Sequence, residues 1–475
     1  MSVIAVRTVL VATVLGCLAL ATVPHASAQA PSRPNIVVIM TDDQTANSMR
    51  VLSKTRRLLG DRGATFLRSF ASLPVCCPSR ASFLTGQYAH NHGVLTNGPP
   101  QGGYAKLDHT NTLAVWLQNA GYNTVHLGKY LNGYGKADPT EVLPGWTEWH
   151  ASVAASSWRY NTTTLNENGR LVRYEREYKT DLYARKAVEI ILRRAAQTKP
   201  FFLWVAFLAP HVGGPREPDD PEGLQTPAPA PRHHDYFASR RLPKPPGFNE
   251  RNVSDKPVEI RRRPRLTREQ VAALQEKYQQ RLETLLAVDE AVARIVRALR
   301  ETGELSDTLI VFTSDNGFFH GEHRVAQGKR LLYEPSIRVP LIMRGPGIPS
   351  GVRLSQPVAN IDLAPTLVAA AGATARRSMD GLSLLPLFVD PTTAFDRDLL
   401  IESAPGAKSF AAIRTARYLY AEHASGEREL YDLVQDGYQL KSLHGDPAYD
   451  AIEQDLAVRL AALRVCAGDT CRIRP

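Results

Sequence analysis

Apolar residues along this chain gather in short runs rich in β-branched side chains. Residues 35–40 read NIVVIM, residues 201–207 read FFLWVAF and residues 308–313 read TLIVFT. Runs of this length, apolar at nearly every position, predict strands buried on both faces, as in a parallel sheet. Residues 122–127, YNTVHL, predict a weaker fourth strand. Polar residues follow each run: Asp42 and Asp43, then Lys129 behind Gly128, then His211 behind Ala209-Pro210, then Asp315-Asn316 ahead of Gly317. Ligands of open α/β sheets bind at the carboxyl ends of the strands. The pattern therefore gathers Asp42, Asp43, Lys129, His211, Asp315 and Asn316 into one pocket.

Between the strands the apolar period lengthens to that of helices. Residues 110–120 predict one, with Leu113, Val115, Trp116 and Leu117 as core positions, and residues 180–196 another. The longest spans residues 267–302, where Thr267 and Gln270 form a capping-box pattern and Gly303 supplies a stop. From about residue 388 the character changes. RYLYAEH and ELYDL, split by Ala424-Ser425-Gly426, predict a hairpin, and residues 448–465 a final amphipathic helix. The fold class that follows is α/β: a mixed, largely parallel sheet flanked by helices, with a smaller C-terminal α+β subdomain. Residues 29–387 form the main domain and residues 388–475 the subdomain. No internal repeat is visible.

At 475 residues the chain has ample material for a core, and its balance of 43% hydrophobic and 22% charged residues is that of a globular protein. The formal charge of +10 favours anionic partners. The excess concentrates in a Pro-rich stretch of little periodicity between His211 and Thr267, which carries Arg240, Arg241, Lys244, Arg261, Arg262 and Arg263. No nucleic-acid-binding motif accompanies it. At the N-terminus Arg7, an apolar run over residues 9–23 and Ala26-Ser27-Ala28 read as a secretion signal covering residues 1–28, too short in its apolar part to span a membrane. The expected location is extracytoplasmic, without stable membrane insertion. In an oxidising compartment Cys466 and Cys471 are expected to close a small disulfide loop.

Chemistry centres on CCPSRASFLTG, Cys76 to Gly86. Proline suits the first position of a helix, so a helix is expected to begin at Pro78 and to end in a left-handed cap at Gly86. Cys76 then lies at a helix N-terminus, where free N–H groups attract anions, and Arg80 projects toward the same place. Asp42, Asp43, Asp315 and Asn316 offer only oxygen ligands, which suit a hard divalent cation better than zinc. Taken alone, an Asp-Asn-Gly is an ordinary turn; two acidic pairs, each behind an apolar strand, carry more weight.

Cys76-Cys77-Pro78-Ser79-Arg80 followed by Leu84-Thr85-Gly86 resembles the signature of the type I sulfatases, C-x-P-S-R-x-x-x-L-T-G. The likeness runs from about residue 35 to about residue 433. It implies an alkaline-phosphatase-like fold and oxidation of Cys76, not Cys77, to formylglycine by a formylglycine-generating enzyme. It also implies a metal site of Asp42, Asp43, Cys76, Asp315 and Asn316, with Ca2+ as the ion and Mg2+ as the alternative. Arg80 then steadies the formylglycine hydrate, Lys129 and Lys329 lie beside the sulfate, and His211 lies near the leaving oxygen. One hydroxyl of the hydrate attacks sulfur and the second, on losing its proton, expels sulfate. Where many arylsulfatases carry a histidine two positions after the first lysine, this chain has Leu131, with Asn132 next to it. His320 and His323 are further pocket candidates.

The segments at residues 76–94, 128–135, 144–151 and 359–372 resemble the N-acetylglucosamine-6-sulfatases and related glycosaminoglycan sulfatases. The implied substrate is a 6-O-sulfated glucosamine residue of a sulfated sugar or glycosaminoglycan fragment. Alternatives are a broad arylsulfatase, a phosphodiester or phosphonate-ester hydrolase of related fold, and a non-catalytic polyanion binder. The basic stretch between His211 and Thr267 is either a solvated loop or a recogniser of further sulfates.

Overall fold

Runs that are apolar at every position become the centre of a ten-stranded sheet. The computed structural model describes residues 1–2, 33–393, 395 and 397–472, so the expected secretion signal, its first two residues apart, lies outside the described residues. The main sheet contains β1 (Asn35–Thr41), β2 (Ala64–Phe66), β4 (Asn123–Gly128), β5 (Glu148–Ser152), β6 (Thr162–Glu167), β7 (Arg170–Glu175), β8 (Phe201–Ala206), β9 (Thr308–Ser314), β10 (Leu341–Arg344) and β11 (Val352–Leu354). Their order is β11-β2-β10-β9-β1-β8-β4-β5-β6-β7. The central block β9-β1-β8-β4-β5 is parallel throughout. β10, β6 and β7 add antiparallel edges. Two short strands, β3 (Ser69–Phe70) and β12 (Val358–Ala359), pair apart from it.

Alternate residues of the central strands enter two cores. Ile36, Val38, Met40, Phe202, Trp204 and Val311 face a cluster closed by Phe83 and Leu84 of the Cys76–Thr85 helix and by Leu367 of the Leu363–Ala371 helix. Val37, Ile39, Leu203, Val205, Ile310 and Phe312 face the Lys179–Ala195 and Arg268–Glu301 helices. Both faces are thus dry, which is why these strands show no polar alternation. The 34-residue helix begins at the Thr267–Gln270 capping box, as the sequence predicts.

The C-terminal sheet is antiparallel: β13 (Leu399–Glu402), β14 (Phe410–Arg414), β15 (Tyr418–His423) and β16 (Arg428–Asp432). The expected hairpin is β15–β16, and the terminal helix spans Asp450–Leu463. Its core takes in Phe70, Tyr88, Phe319 and Tyr333 of the main body. Cys466 and Cys471 form the expected disulfide. Among the described residues no helix is long and apolar enough to cross a membrane.

Asp289, buried on the long helix, fastens the segment that follows β1. Its carboxylate accepts from the Lys54 and Thr55 backbone N–H groups at 2.9 and 2.6 Å and from Thr55 Oγ1 at 2.7 Å. Asp289→Ala leaves those donors buried and unsatisfied, and is expected to cost about 3 kcal/mol. Urea melts of Asp289→Ala and Asp289→Asn check this; the asparagine variant keeps one acceptor oxygen and should lose less.

Candidate active site

Four neighbouring strands of the parallel block stop at one level. Thr41 of β1 pairs with Ser314 of β9, while Met40 and Gly128 both pair with Ala206 of β8. The residues just beyond those ends, Asp42, Asp43, Lys129, Asp315 and Asn316, therefore meet at one sheet edge, and His211 joins them from the loop after β8. Gly128 is required there: its φ is +112° and a Cβ would meet the Ala206 carbonyl at 2.1 Å. The sequence expectation that these six residues share a pocket is met in position.

The Cys76–Thr85 helix points its N-terminus at the same edge. It starts at Cys76, two residues before the position expected from Pro78. The first N–H groups of a helix have no partner within it, so proline is accommodated anywhere in the first turn. Gly86 closes the helix in the left-handed region with φ +70°, as predicted. All ten residues of the helix are buried, including Cys76 and Arg80. Cys77 turns into the core, its backbone N–H donating to Asn97 Oδ1 at 3.0 Å.

Cys76 Sγ lies 3.5 Å from Asp42 Oδ1, 4.0 Å from Asp43 Oδ1 and 2.9 Å from Lys329 Nζ. Lys129 is ion-paired with Asp42 and Lys329 with Asp43. Arg80 donates from Nε to Asp315 Oδ2 at 2.9 Å, and its Nη2 stands 3.7 Å from Asp42 Oδ2. Asp43 N–H donates to Asp315 Oδ1 at 3.0 Å, and Asn316 Nδ2 to Asp43 Oδ1 at 2.7 Å. Three buried carboxylates thus face three cations. Burial opposes ionisation of Asp42, but Lys129, His211, Arg80 and Lys329 outweigh it and hold its carboxyl far below the usual range. For Asp43 burial is likewise outweighed, chiefly by Lys329 and His211. Asp315 goes the other way, raised by burial and by Asp42. Burial, with Asp42 adding to it, pushes the Cys76 thiol up to about 12, so the unmodified side chain is a neutral thiol.

The donor set fits a hard dication. Oxygen ligands dominate, and Asn316 Oδ1 is buried without a hydrogen-bond donor. Ligand atoms of Asp42, Asp43, Cys76 and His211 lie within 4.8 Å of one another. His211 was expected beside the leaving oxygen rather than in this group; its Nε2 is 3.8 Å from Asp43 Oδ2. Its Nδ1 donates to the Val212 carbonyl at 2.7 Å, which fixes the ring so that Nε2 faces the site. Burial pushes His211 down to about 4, against the pull of Asp42 and Asp43.

Several supporting residues carry no sequence motif. Trp158 lies under the Lys129 ammonium, 4.6 Å from ring centroid to Nζ, and its ring centroid is 4.8 Å from that of His211. Tyr160 Oη donates to the His211 carbonyl at 2.7 Å. Lys179 holds the turn that carries Trp158, donating to the Ser156 and Ser157 carbonyls at 2.6 and 3.1 Å. Arg281 donates to the carbonyls of Asp43 and Pro210. It alone had a readable signal, a charge set on the apolar stripe between Leu274 and Leu285.

The remaining candidates fall elsewhere. His323 pairs with Glu250 at 2.7 Å and packs on Tyr333, while His320 packs edge-on to Tyr278. Leu131 is a core residue, and the Asn132 carbonyl accepts from Tyr104 N–H at 2.7 Å. In the stretch between His211 and Thr267, Arg261 pairs with Glu427 at 3.0 Å and Arg263 with Glu259 at 3.4 Å.

Comparison with known proteins accords with this geometry. The model of the family described as Sulfatase matches residues 34–373, and that described as N-sulphoglucosamine sulphohydrolase, C-terminal, matches residues 321–466. A Sulf-1 homologue of Caenorhabditis elegans is 36% identical over 366 residues, 75% of this chain and 49% of that one, so this chain spans about half of its length. Human N-acetylglucosamine-6-sulfatase is 32% identical over 491 residues, 93% of this chain and 86% of that protein. The solved structure of a protein in complex with its substrate D-glucosamine-2-N,6-O-disulfate superposes with a TM-score of 0.75 over 90% of this chain and 97% of that one, at 24% identity. Strand ends, cysteine helix and family match agree: the chain belongs to the sulfatase family of sulfuric ester hydrolases.

Proposed function

We propose that the chain hydrolyses the 6-O-sulfate ester of N-acetylglucosamine residues in sulfated saccharides, with Cys76 working as formylglycine and Ca2+ or Mg2+ as the metal. The observation that carries this reading is the convergence of Cys76 with three carboxylates, Arg80, Lys129, Lys329 and His211 at one sheet edge. The substrate class rests on the likeness to N-acetylglucosamine-6-sulfatase over most of both chains. In this reading residues 1–28 direct export, a formylglycine-generating enzyme converts Cys76, residues 29–387 form the catalytic domain and residues 388–475 the C-terminal subdomain.

Asp42, Asp43, Asp315, Asn316 and position 76 would hold the cation, which supplies positive charge beside the sulfate. Hydrated formylglycine supplies two hydroxyls, one to attack sulfur and one whose deprotonation releases sulfate. The chain's own residues do the rest. Three carboxylates against Arg80, Lys129 and Lys329 leave the cluster neutral before a dication enters. With the dication the site is net positive, which suits an anionic ester and the charge that develops in its transition state. Lys129 and Lys329 bind sulfate oxygens. Arg80, wholly buried, fixes Asp315 and Asp42. Lys129 Nζ passes a proton to the departing sugar oxygen, while His211, neutral with its proton on Nδ1, faces the same place through Nε2. The enclosure of Cys76 excludes bulk water.

Chain made in a host that carries the maturation enzyme should show formylglycine at Cys76 and an unchanged Cys77 by peptide mass spectrometry. It should turn over 4-nitrocatechol sulfate and glucosamine 6-sulfate far faster than phosphate or phosphonate esters. Full activity with Cys76 unconverted, or a preference for phosphorus esters, would refute the reading.

Asn316→Ala removes one ligand oxygen without stranding a buried charge. It is expected to weaken calcium binding at least about tenfold, read by metal content after dialysis against graded chelator, with the circular dichroism spectrum retained. Metal content equal to the parent's would take Asn316 out of the ligand set.

Trp158→Ala should lower kcat about 10–100-fold through misplacement of Lys129 and His211, with Trp158→Phe recovering most of it. Steady-state kinetics on an aryl sulfate read this; equal kcat for all three proteins would show that the ring positions nothing.

A further inference from the structure

A cavity of about 450 Å³ adjoins the sheet edge, lined in part by Arg50, Lys244, Tyr278, Phe318, His320 and Gln439. That is the size of a small-ligand site. It lies close to the catalytic cluster, because its wall residues Thr45 and Phe318 follow Asp43 and Asn316 by two positions, at most about 7 Å along the chain. The Phe318 ring also packs 3.9 Å from the Arg281 guanidinium, and Arg281 in turn donates to the Asp43 carbonyl.

The charges around this cavity are unbalanced. Arg50 and Lys244 rest on the rings of Tyr278 and Phe248, at 5.8 and 5.7 Å, and among the described residues neither is ion-paired with a carboxylate. Burial, and then the nearby charge of Arg240, makes the charged form of Arg50 costlier than usual. Two carboxylates line the cavity and both are engaged. Glu334 pairs with Arg414 at 3.1 Å, and Glu322 accepts from the His320 backbone N–H at 2.6 Å. Meanwhile Tyr278 Oη, His320 Nε2 and Gln439 Nε2 are buried polar atoms without a hydrogen-bond partner. Buried polar groups are seldom left so, and with Arg338 Nε four sit in the wall of one cavity, which three cations without a carboxylate partner among the described residues, Arg50, Lys244 and Arg338, also line. Aromatic walls with a few polar groups and a positive rim suit a saccharide that bears an anion.

We propose that this cavity is a second anion site, in which Arg50 and Lys244 bind a sulfamate or carboxylate group of the saccharide whose 6-O-sulfate meets Cys76, on the same ring or the next. The inference rests on the sulfatase reading for the identity of the first anion. It also sorts the basic stretch: Arg261 and Arg263 are taken up by Glu427 and Glu259, while Lys244 is turned to the cavity.

Titration calorimetry on the calcium-loaded full chain carrying Cys76→Ala tests it without turnover. The probes are glucosamine 6-sulfate, glucosamine 2-N,6-O-disulfate, and glucosamine 6-sulfate linked to a uronic acid. A second anion should tighten binding about tenfold in one of the two doubly charged probes, and that probe identifies the group; adding Arg50→Ala and Lys244→Ala should cut the gain below about twofold. Arg50→Lys with Lys244→Arg should restore it. No gain from either second anion, or a gain that survives the double alanine variant, overturns the proposal. Turnover of 4-nitrocatechol sulfate by the formylglycine form reports on the sulfatase reading separately, and the double alanine variant should leave it unchanged.

Discussion

Everything at the site depends on keeping three carboxylates charged in a place without water. Asp42, Asp43 and Asp315 are each at most 2% exposed. An isolated buried carboxylate takes up a proton, since desolvation disfavours the ion. Asp42 escapes this because Lys129, just beyond β4, and Arg80, on the cysteine helix, reach it from two directions along the chain. Asp43 escapes through Lys329, which lies on the loop after β9. Buried ion pairs seldom add net stability, because desolvation offsets most of the attraction. The fold therefore gains little from this cluster, and the large apolar cores on both sheet faces must carry it.

The C-terminal sheet buttresses two parts of the site from behind. Glu429 of β16 accepts from Tyr333 Oη at 2.8 Å, four residues after Lys329. Glu402 of β13 accepts from Ala89 N–H at 2.8 Å and lies 2.9 Å from His90 Nδ1, just beyond the cysteine helix. Glu402 is spent on the main body, while Glu429 also holds His423 and Tyr431 of its own sheet. The small sheet thus fixes the loop that brings Lys329 to Asp43 and the chain that leaves Gly86.

Four strands of the parallel block were legible, three of them because they are dry on both faces and leave continuous apolar runs in the sequence; β5, which reads EWHAS, was not. The polar strand ends and the capped long helix were legible too. What stayed hidden was marginal in hydrophobic pattern. β6 and β7 are rich in threonine and charge, and β7 is largely exposed. A turn signal was nonetheless present: Asn168 and Gly169 both have positive φ, the conformation of a type I′ hairpin. β10 and β11 are too short for a period to show. Trp158, Tyr160 and Lys179 escaped for a different reason. Their roles arise from where a 3-10 turn lands in space, and no spacing along the chain encodes that. The cavity beside the centre is similar, since its wall is drawn from six separated segments.

The shared level of the strand ends has a mechanical corollary. Each residue of a strand advances about 3.3 Å and reverses the face it presents. A one-residue slip of β1 against β8 and β9 would carry Asp42 and Asp43 past the reach of Lys129 and Lys329 and turn their side chains to opposite faces. The block works as a jig whose tolerance is smaller than its own step. Changes of chain length can be absorbed at the hairpin of β6 and β7 or in the irregular stretch after His211. Between Asn35 and Asp43 the length of the chain is fixed by the site it serves.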